Sequence, residues 1–579
     1  MAGLKARIAA DPRFFENLIR KYLLDNPHRA LVVIKPERDF LEKKEAALAK
    51  TLAAREAGFT PSDRERVREK AAALVKIQEQ GDSPEALAAI PHLSRGDLSA
   101  EIERLPREFL DAAGAPALAH ELFTNGITYV HLAFPADILE PEDYVWLPFF
   151  TRSVVSMGLP GADYGAVSSL IARTAGGFSA GLQTGSMAPG AAGTTAFPPG
   201  IYRTGGRDWV MYFLKALDEK IAPSLDLALR LITEADFTDE KRVRDLAVEM
   251  KNDIDSGFAH SGHSYASTRS SQGFSRSKMI DELWGGFEQL LFAHRLTETD
   301  SAEISRRLAS IRDRLAAGGL IINLTGGAEA LKTALAETGR CFGAFGGPKP
   351  PEDFDLTAFS GLAAVPYSAG AEIVSSPSLQ VGFAAAVLPA VSYGSPDQAA
   401  ELVLAHQLST GALWETIRMK GGAYGAFAAP DSLEGAFSFS TYRDPNPLRS
   451  LDAFSSILMD MAGHNAGEAD AARLKDELDK AVIGCYARET RPRTPADKGL
   501  TDFFRFLYGI TDSHRAARLK SLISVSAGDI GAAVKRLADC TGQRVFANGA
   551  PLHPVIVAGK SVAESAAAKL GVKVIELPI

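Results

Sequence analysis

Cysteine is scarce: Cys341, Cys485 and Cys540 are the only three in 579 residues, far apart and never in CxxC spacing. Such usage excludes a disulfide framework and a cysteine-built metal cluster, and it fits a cytoplasmic protein or another reducing compartment. Uncharged apolar runs of about 18 residues are also missing, so no membrane-spanning helix is expected. Neither charge dominates. With 63 Lys+Arg against 71 Asp+Glu, the net charge of -8 gives no electrostatic reason to expect nucleic acid or a membrane surface as a partner. The opening "MAGLKARIAADPRFFENLIRKYLLDN" lacks the apolar core of an export signal and patterns as an amphipathic helix.

The short motifs of common hydrolases are absent as well. No histidine stands in HExxH or HxxEH, and no GxSxG, P-loop or GxGxxG occurs between a strand and a helix. His120-Glu121 is the nearest start, but Thr124 occupies the place of the second histidine. His260 and His263, in the Gly/Ser-rich "AHSGHSYASTRS", are the one close histidine pair. That stretch reads as a loop with no carboxylate nearby, so packing is preferred over a metal site, and no metal residue is assigned.

What is present has the balance of a globular protein, with 46% hydrophobic and 23% charged residues. The chain is too long for one core, and several domains are expected. A helical hairpin is predicted first. Its first helix covers roughly 38–57 and stops at Gly58; the second opens with Ser62 and Glu65 in capping-box spacing and runs to about Gln80. From residue 120 strands and helices alternate. "GITYVHLAF" reads as a strand, "EPEDYVWLPFFTRSVVSMG" as a helix with Pro141 near its start, and "DYGAVSSLIARTAGG" as a second helix. The Gly/Pro-rich 185–206 reads as a mobile surface loop, and a long helix is expected from about Thr238. Residues 341–354 read as an interdomain linker. The order then recurs, with a strand in "LQVGFAAAV" and a helix start at Ser395, Pro396 and Gln398 in capping-box spacing.

Two strings anchor this recurrence. Arg173 is followed by Gly176 and Gly177, and Arg418 by Gly421 and Gly422, each after a strand and two helices. The fold class is therefore α+β: two homologous domains, each a mostly antiparallel sheet with helices packed on it, preceded by the hairpin. The expected divisions are 1–110, 111–345 and 346–579. The copies differ in their aromatic residue, Phe178 in the first and Tyr424 in the second, so only the second offers a hydroxyl.

In "LWETIRMKGGAYGAF" the glycines should end a helix and turn the chain sharply into a strand, bringing Arg418 and Tyr424 to one edge. A guanidinium fork can bind peptide carbonyl oxygens and a phenol can stabilise an oxyanion. An arginine capping helix carbonyls beside a tyrosine packed on the sheet is the simpler alternative, and the residues alone leave it open.

That string, with "FFENLIRKYLLDNPHRALVVIKPE", "LFTNGITYVHLAF", "DFTDEKRVRDLAVEMKNDIDSGFAHSGHSYASTRS" and "FSFSTYRDPNP", resembles the C-terminal half of the presequence-protease branch of the insulinase-like (pitrilysin) zinc metallopeptidases. The resemblance covers nearly the whole chain in order. It implies a clamshell peptidase of four homologous α+β domains, whose N-terminal half carries HxxEH and zinc and is joined by a helical hairpin to a half without zinc ligands. The matching arginine and tyrosine are Arg418 and Tyr424, with Gly421 and Gly422 shaping the substrate site. By this resemblance Tyr424 supports catalysis through a hydrogen bond to the oxyanion. No cofactor is expected in this chain, zinc being expected in the other half.

The chain is accordingly expected to be the substrate-clamping half of a zinc metalloendopeptidase that degrades short or unfolded peptides, inactive alone. It would be a fragment of a longer chain or a subunit partnered by a zinc-binding half. Self-association through surface the other half would cover is a further expectation. The alternative is a non-enzymatic scaffold that presents a sheet edge to an extended peptide.

Overall fold

The computed structural model describes residues 2–579 apart from 36, 38, 81, 84, 87–88, 191–205, 351–369, 464–467, 544–548 and 550–551. Most of the loop expected at 185–206, and residues 351–354 of the expected linker, lie outside the described residues. Two compact units are present, 1–92 and 93–579.

The first unit is helical. Short helices at Ala2–Ala10 and Phe14–Ile19 precede longer ones at Phe40–Ala57 and Pro61–Glu79, the former ending at Gly58. The second long helix is capped two residues earlier than expected: Thr60 accepts the Asp63 N–H, and Asp63 accepts that of Thr60. The displacement follows from Pro61, whose missing N–H is harmless only at the first helical position, so the cap must precede it. Leu48, Leu52, Val67, Leu74 and Ile77 leave apolar surface exposed along these two helices.

The second unit contains two six-stranded sheets. The first comprises β1 (Glu108–Ala112), β2 (Ala115–Glu121), β3 (Ile127–Pro135), β4 (Gly177–Gly185), β5 (Arg207–Leu217) and β6 (Ile321–Gly326), in the order β1-β2-β6-β3-β5-β4. The second comprises β7 (Glu372–Ser375), β8 (Phe383–Pro389), β9 (Gly425–Asp431), β10 (Ala436–Tyr442), β11 (Val555–Ala558) and β12 (Val574–Glu576), in the order β12-β7-β11-β8-β10-β9. Removing the outer strands β1 and β12 leaves one shared plan, β2-β6-β3-β5-β4 against β7-β11-β8-β10-β9. In each, the first pair is parallel and the others antiparallel. The two sheets are copies of one topology, as the repeated Arg-Gly-Gly string suggested, and both strings stand just ahead of the outermost strand, β4 or β9.

The copies also exchange cover. The Pro495–Leu507 helix, from the second copy, lays Phe503, Phe506 and Leu507 on Leu118, Ala133, Trp209, Met211 and Ile321 of the first sheet. In return, the Glu240–Ser271 helix brings Phe258 and Ala266 against Val374, Phe383, Ala385, Val555 and Val557 of the second sheet or its flanks. His260 and His263 therefore lie on a long helix, not in a loop. Its glycines and serines serve close approach: a Cβ at Gly262 would collide with the Phe383 ring. Tertiary packing here overrides weak helix propensity.

A buried ionic cluster crosses the same seam. Arg269 on the lent helix pairs with Glu372 of β7 at 3.1 Å and lies 3.6 and 3.8 Å from Glu282 and Glu288, while His553 Nε2 is 2.9 Å from Glu372. Burial, opposed in part by Arg269, pushes the Glu282 carboxyl up to about 8.

Two further expectations need correction. Residues 341–350 are packed rather than a free linker: Phe345 meets Phe134 and Phe342, Lys349 donates its N–H to the Gly318 carbonyl at 2.8 Å, and the Lys349 carbonyl accepts from buried Arg207. The helix expected from Ser395 starts at Gln398. No capping box forms, because the Gln398 side chain turns back to accept the Gly394 N–H at 3.1 Å.

Candidate functional site

The site grows from the end of a helix. After Gln398–Thr410 the chain passes Gly411 and winds into a π-helical turn, Trp414–Met419, in which the Lys420 N–H reaches the Glu415 carbonyl at 3.0 Å. Such wide turns recur at functional sites. Gly422, at φ +82°, then reverses the chain, and its N–H closes on the Arg418 carbonyl at 3.0 Å. Gly421 is needed for a different reason, since a Cβ there would strike the Ile417 carbonyl. Ala423 donates to Ile417 O at 3.1 Å, and Tyr424 donates to Tyr442 O at 3.0 Å, which joins the turn to the end of β10.

This backbone brings Arg418 and Tyr424 together. The guanidinium carbon lies 5.7 Å from the centre of the Tyr424 ring, and both side chains are exposed, Tyr424 to 67%. Tyr424 meets Tyr442 edge to face at 5.8 Å; Tyr442 in turn contacts His263 of the lent helix at 5.1 Å and Phe383 at 5.9 Å. The Arg443 guanidinium stands over the Tyr442 ring at 5.6 Å. The result is a row of cation, ring, ring and cation: Arg418, Tyr424, Tyr442, Arg443. Neither arginine has a carboxylate partner among the described residues, whereas neighbouring Lys420 is paired with Glu415 at 2.7 Å.

Arg443 is also strained. Its φ of +49° is one of three positive values at non-glycine residues in the described chain, a state costing roughly 1–3 kcal/mol. It is held there from both sides. The Tyr442 carbonyl receives the Tyr424 N–H, and Asp444 exchanges two 2.7 Å hydrogen bonds with Gly382.

The equivalent place in the first copy is different. There Arg173 turns back to its own helix, its Nε donating to the Ser169 carbonyl at 3.3 Å, and Phe178 stacks on Tyr212 at 5.9 Å. That copy follows the simpler reading of an arginine on helix carbonyls and an aromatic packed on the sheet. Arg418 makes no such bond.

The outer edge of β9 is blunted. Ser409 Oγ accepts the Ala428 N–H at 2.9 Å and lies 3.3 Å from its carbonyl, and Pro430 has no N–H. A long added strand would find few partners there.

Zinc does not fit the residues present. Among the described residues no group of three or more His, Cys, Asp or Glu side chains could hold a metal ion. His263 packs against Phe383 and Tyr442 with its Nδ1 enclosed and unpartnered, and burial lowers its pKa. His120 is committed elsewhere, with its ring nitrogens 2.9 Å from the Pro106 carbonyl and from Asn323 Oδ1. No step of a reaction is derived through a metal in this chain.

Comparison with known proteins agrees with this architecture. The family profile for the associated domain of peptidase family M16, subfamily C, matches residues 34–296, and the PreP C-terminal domain matches residues 390–544. The chain belongs to the presequence-protease family, within subfamily C of the M16 peptidases. Presequence protease 1, chloroplastic/mitochondrial, of Arabidopsis thaliana is 27% identical over 539 residues, which is 91% of this chain and 47% of that protein. The mitochondrial presequence protease of Yarrowia lipolytica is 27% identical over 546 residues, 93% of this chain and 52% of its own length. The chain thus spans about half the length of the curated relatives it matches. Among solved structures, a conserved protein from Enterococcus faecalis V583 shares the fold at TM-score 0.54 and 14% identity, over 79% of this chain and 99% of that one. A protease from Helicobacter pylori does so at TM-score 0.52 and 12% identity, over 78% and 99%. Among the described residues no helix is long and apolar enough to cross a membrane.

Tyr442 and Arg443 escaped the sequence reading as site residues. Their only local signal is the turn-forming "RDPNP", because what matters is a contact across strands with Tyr424, 18 and 19 residues earlier.

Proposed function

We propose that this chain is the substrate-clamping half of a zinc metalloendopeptidase that degrades short or unfolded peptides, with Arg418 and Tyr424 as the clamp. The observation that carries the reading is that both side chains are exposed, stand at contact distance and are held by a glycine turn, yet neither is used to hold the fold. In this role Arg418 donates to a backbone carbonyl of the peptide. Tyr424 donates its phenol hydrogen to the carbonyl oxygen on which negative charge develops during attack. Trp414, Met419 and Phe427 expose apolar surface in the same segment, suited to peptide side chains.

The hydrolytic metal, under this proposal, belongs to a zinc-binding half in the same parent chain or in a separate subunit. The apolar residues exposed on the Phe40–Ala57 and Pro61–Glu79 helices support a docking or hinge role for the first unit, and the same surface would serve self-association where that half is absent. A reducing compartment is retained in the proposal: the three cysteines are free, and burial pushes the Cys341 and Cys485 thiols up to about 11.

The test is peptide hydrolysis by the chain assembled with its HxxEH-bearing half. Tyr424→Phe should reduce kcat by about 10²–10³, and Arg418→Ala should raise KM. Full turnover by the Tyr424→Phe enzyme would refute the clamp. The scaffold reading is disfavoured by the blunted outer edge of β9.

A further inference from the structure

We propose that Arg443, oriented by Tyr442, forms a carboxylate-binding subsite beside Arg418 and Tyr424 and selects peptides that present an anionic group to it. The anion is either the peptide's C-terminal carboxylate or an Asp or Glu side chain. This rests on the clamp reading, because it places a second contact for the same peptide.

Four observations converge. First, the guanidinium stands over the Tyr442 ring at 5.6 Å, within the range of a cation–π contact. Stacking occupies the flat face of the group and leaves its N–H edge free for the two-pronged contact that carboxylates make. Second, no acidic side chain among the described residues takes that edge. The adjacent Asp444 is buried, and its Oδ1 accepts the Asn446 N–H at 2.8 Å. Glu415 is engaged by Lys420 at 2.7 Å. Third, the backbone at Arg443 is held at φ +49° by fixed hydrogen bonds on both neighbours, so its side chain leaves the chain in a set direction. Glycine would adopt that conformation without strain. A cationic side chain kept in a strained backbone beside a clamp points to use rather than to stability. Fourth, Arg443 and Tyr424 are coupled directly, the Tyr424 N–H lying 3.3 Å from the Arg443 carbonyl and 3.0 Å from that of Tyr442. A polyanion is not the ligand indicated, since the chain is net negative and the row holds only two unpaired cations.

The experiment measures binding of one fluorescent peptide sequence to the full chain in excess chelator. The peptide is prepared as the C-terminal acid, the C-terminal amide, and the amide carrying one internal Glu. At least one anionic form should bind about tenfold more tightly than the neutral amide, and high salt should shrink the difference. The form that gains identifies the source of the carboxylate. Arg443→Gln should abolish the preference while leaving affinity for the amide unchanged. Arg443→Gly, which also relieves the backbone, should do the same and so separates loss of the cation from loss of the fold. Arg418→Ala should weaken all forms alike. Equal binding of acid and amide forms, no binding of any form at millimolar peptide, or an acid preference that survives Arg443→Gln would each overturn the subsite. A preserved preference that depends on Arg443 but is indifferent to Arg418→Ala would instead remove the clamp reading and leave the subsite standing.

Discussion

Tyr424 donates its backbone N–H to the carbonyl of Tyr442 while its ring meets the Tyr442 ring edge to face at 5.8 Å. One residue thus fixes both the main chain and the side chain of the other. The position of the phenol is set from β10, across the sheet, and not only by the turn that carries it.

The turn itself should tolerate no side chain. Gly422 sits at φ +82°, where a residue with a Cβ is penalised by about 1–2 kcal/mol. Gly422→Ala should lower stability by that order in chemical denaturation and should weaken peptide binding as much as Arg418→Ala does. A variant with unchanged binding would mean that the turn does not position the pair.

Arg443→Gly should have the opposite effect on the fold. Relief of the φ +49° strain should raise stability by about 1 kcal/mol, part of the gain being offset by the greater freedom of glycine when unfolded. A measured loss of stability would show that the arginine side chain holds the structure together.

Phe503 is fully buried between the Pro495–Leu507 helix and the first sheet. Phe503→Ala should cost about 3–5 kcal/mol. Because the seam is shared, hydrogen exchange should quicken in β2, β3 and β5 of the first sheet as well as in the second copy. Loosening confined to the helix would contradict the exchange of cover.

The ionic seam predicts a dependence on pH. Glu282 has its folded pKa raised to about 8 against 4.5 for the free carboxyl, so the folded state holds the proton more tightly. Its stabilising contribution is complete below pH 4.5 and is lost as pH rises towards 8, since over that interval the unfolded chain binds fewer protons. Glu282→Gln should flatten the fall in stability across this window, measured by denaturation at about pH 5 and about pH 8. An unchanged slope would assign the dependence to another group.

Much of this was legible in the sequence wherever the signal was local. The β3 strand, the helix stop at Gly58 and the turn linking Arg418 to Tyr424 depend on nearby residues and were found at their places. Where tertiary contacts decided, local reading failed. The stretch from Ser256 to Ser271 looks like a loop because it is rich in Gly, Ser and His, yet it is helical because small residues let it lie against Phe383. The cap at Thr60 was misplaced by two residues because the constraint imposed by Pro61 outweighs the Ser62 and Glu65 spacing. Tyr442 and Arg443 join the site through strand pairing, which no short window of sequence contains.

The mutual loan of helices has a consequence for how such a chain can be divided. A break between residues 346 and 371 would separate two pieces of reasonable length, yet each would carry away the lid of the other: the Glu240–Ser271 helix with one piece and the Pro495–Leu507 helix with the other. Each fragment made alone would expose a bare apolar sheet and aggregate, whereas the two made together would find and complete each other. The repeats descend from one pattern, but they are inherited, folded and lost as a pair.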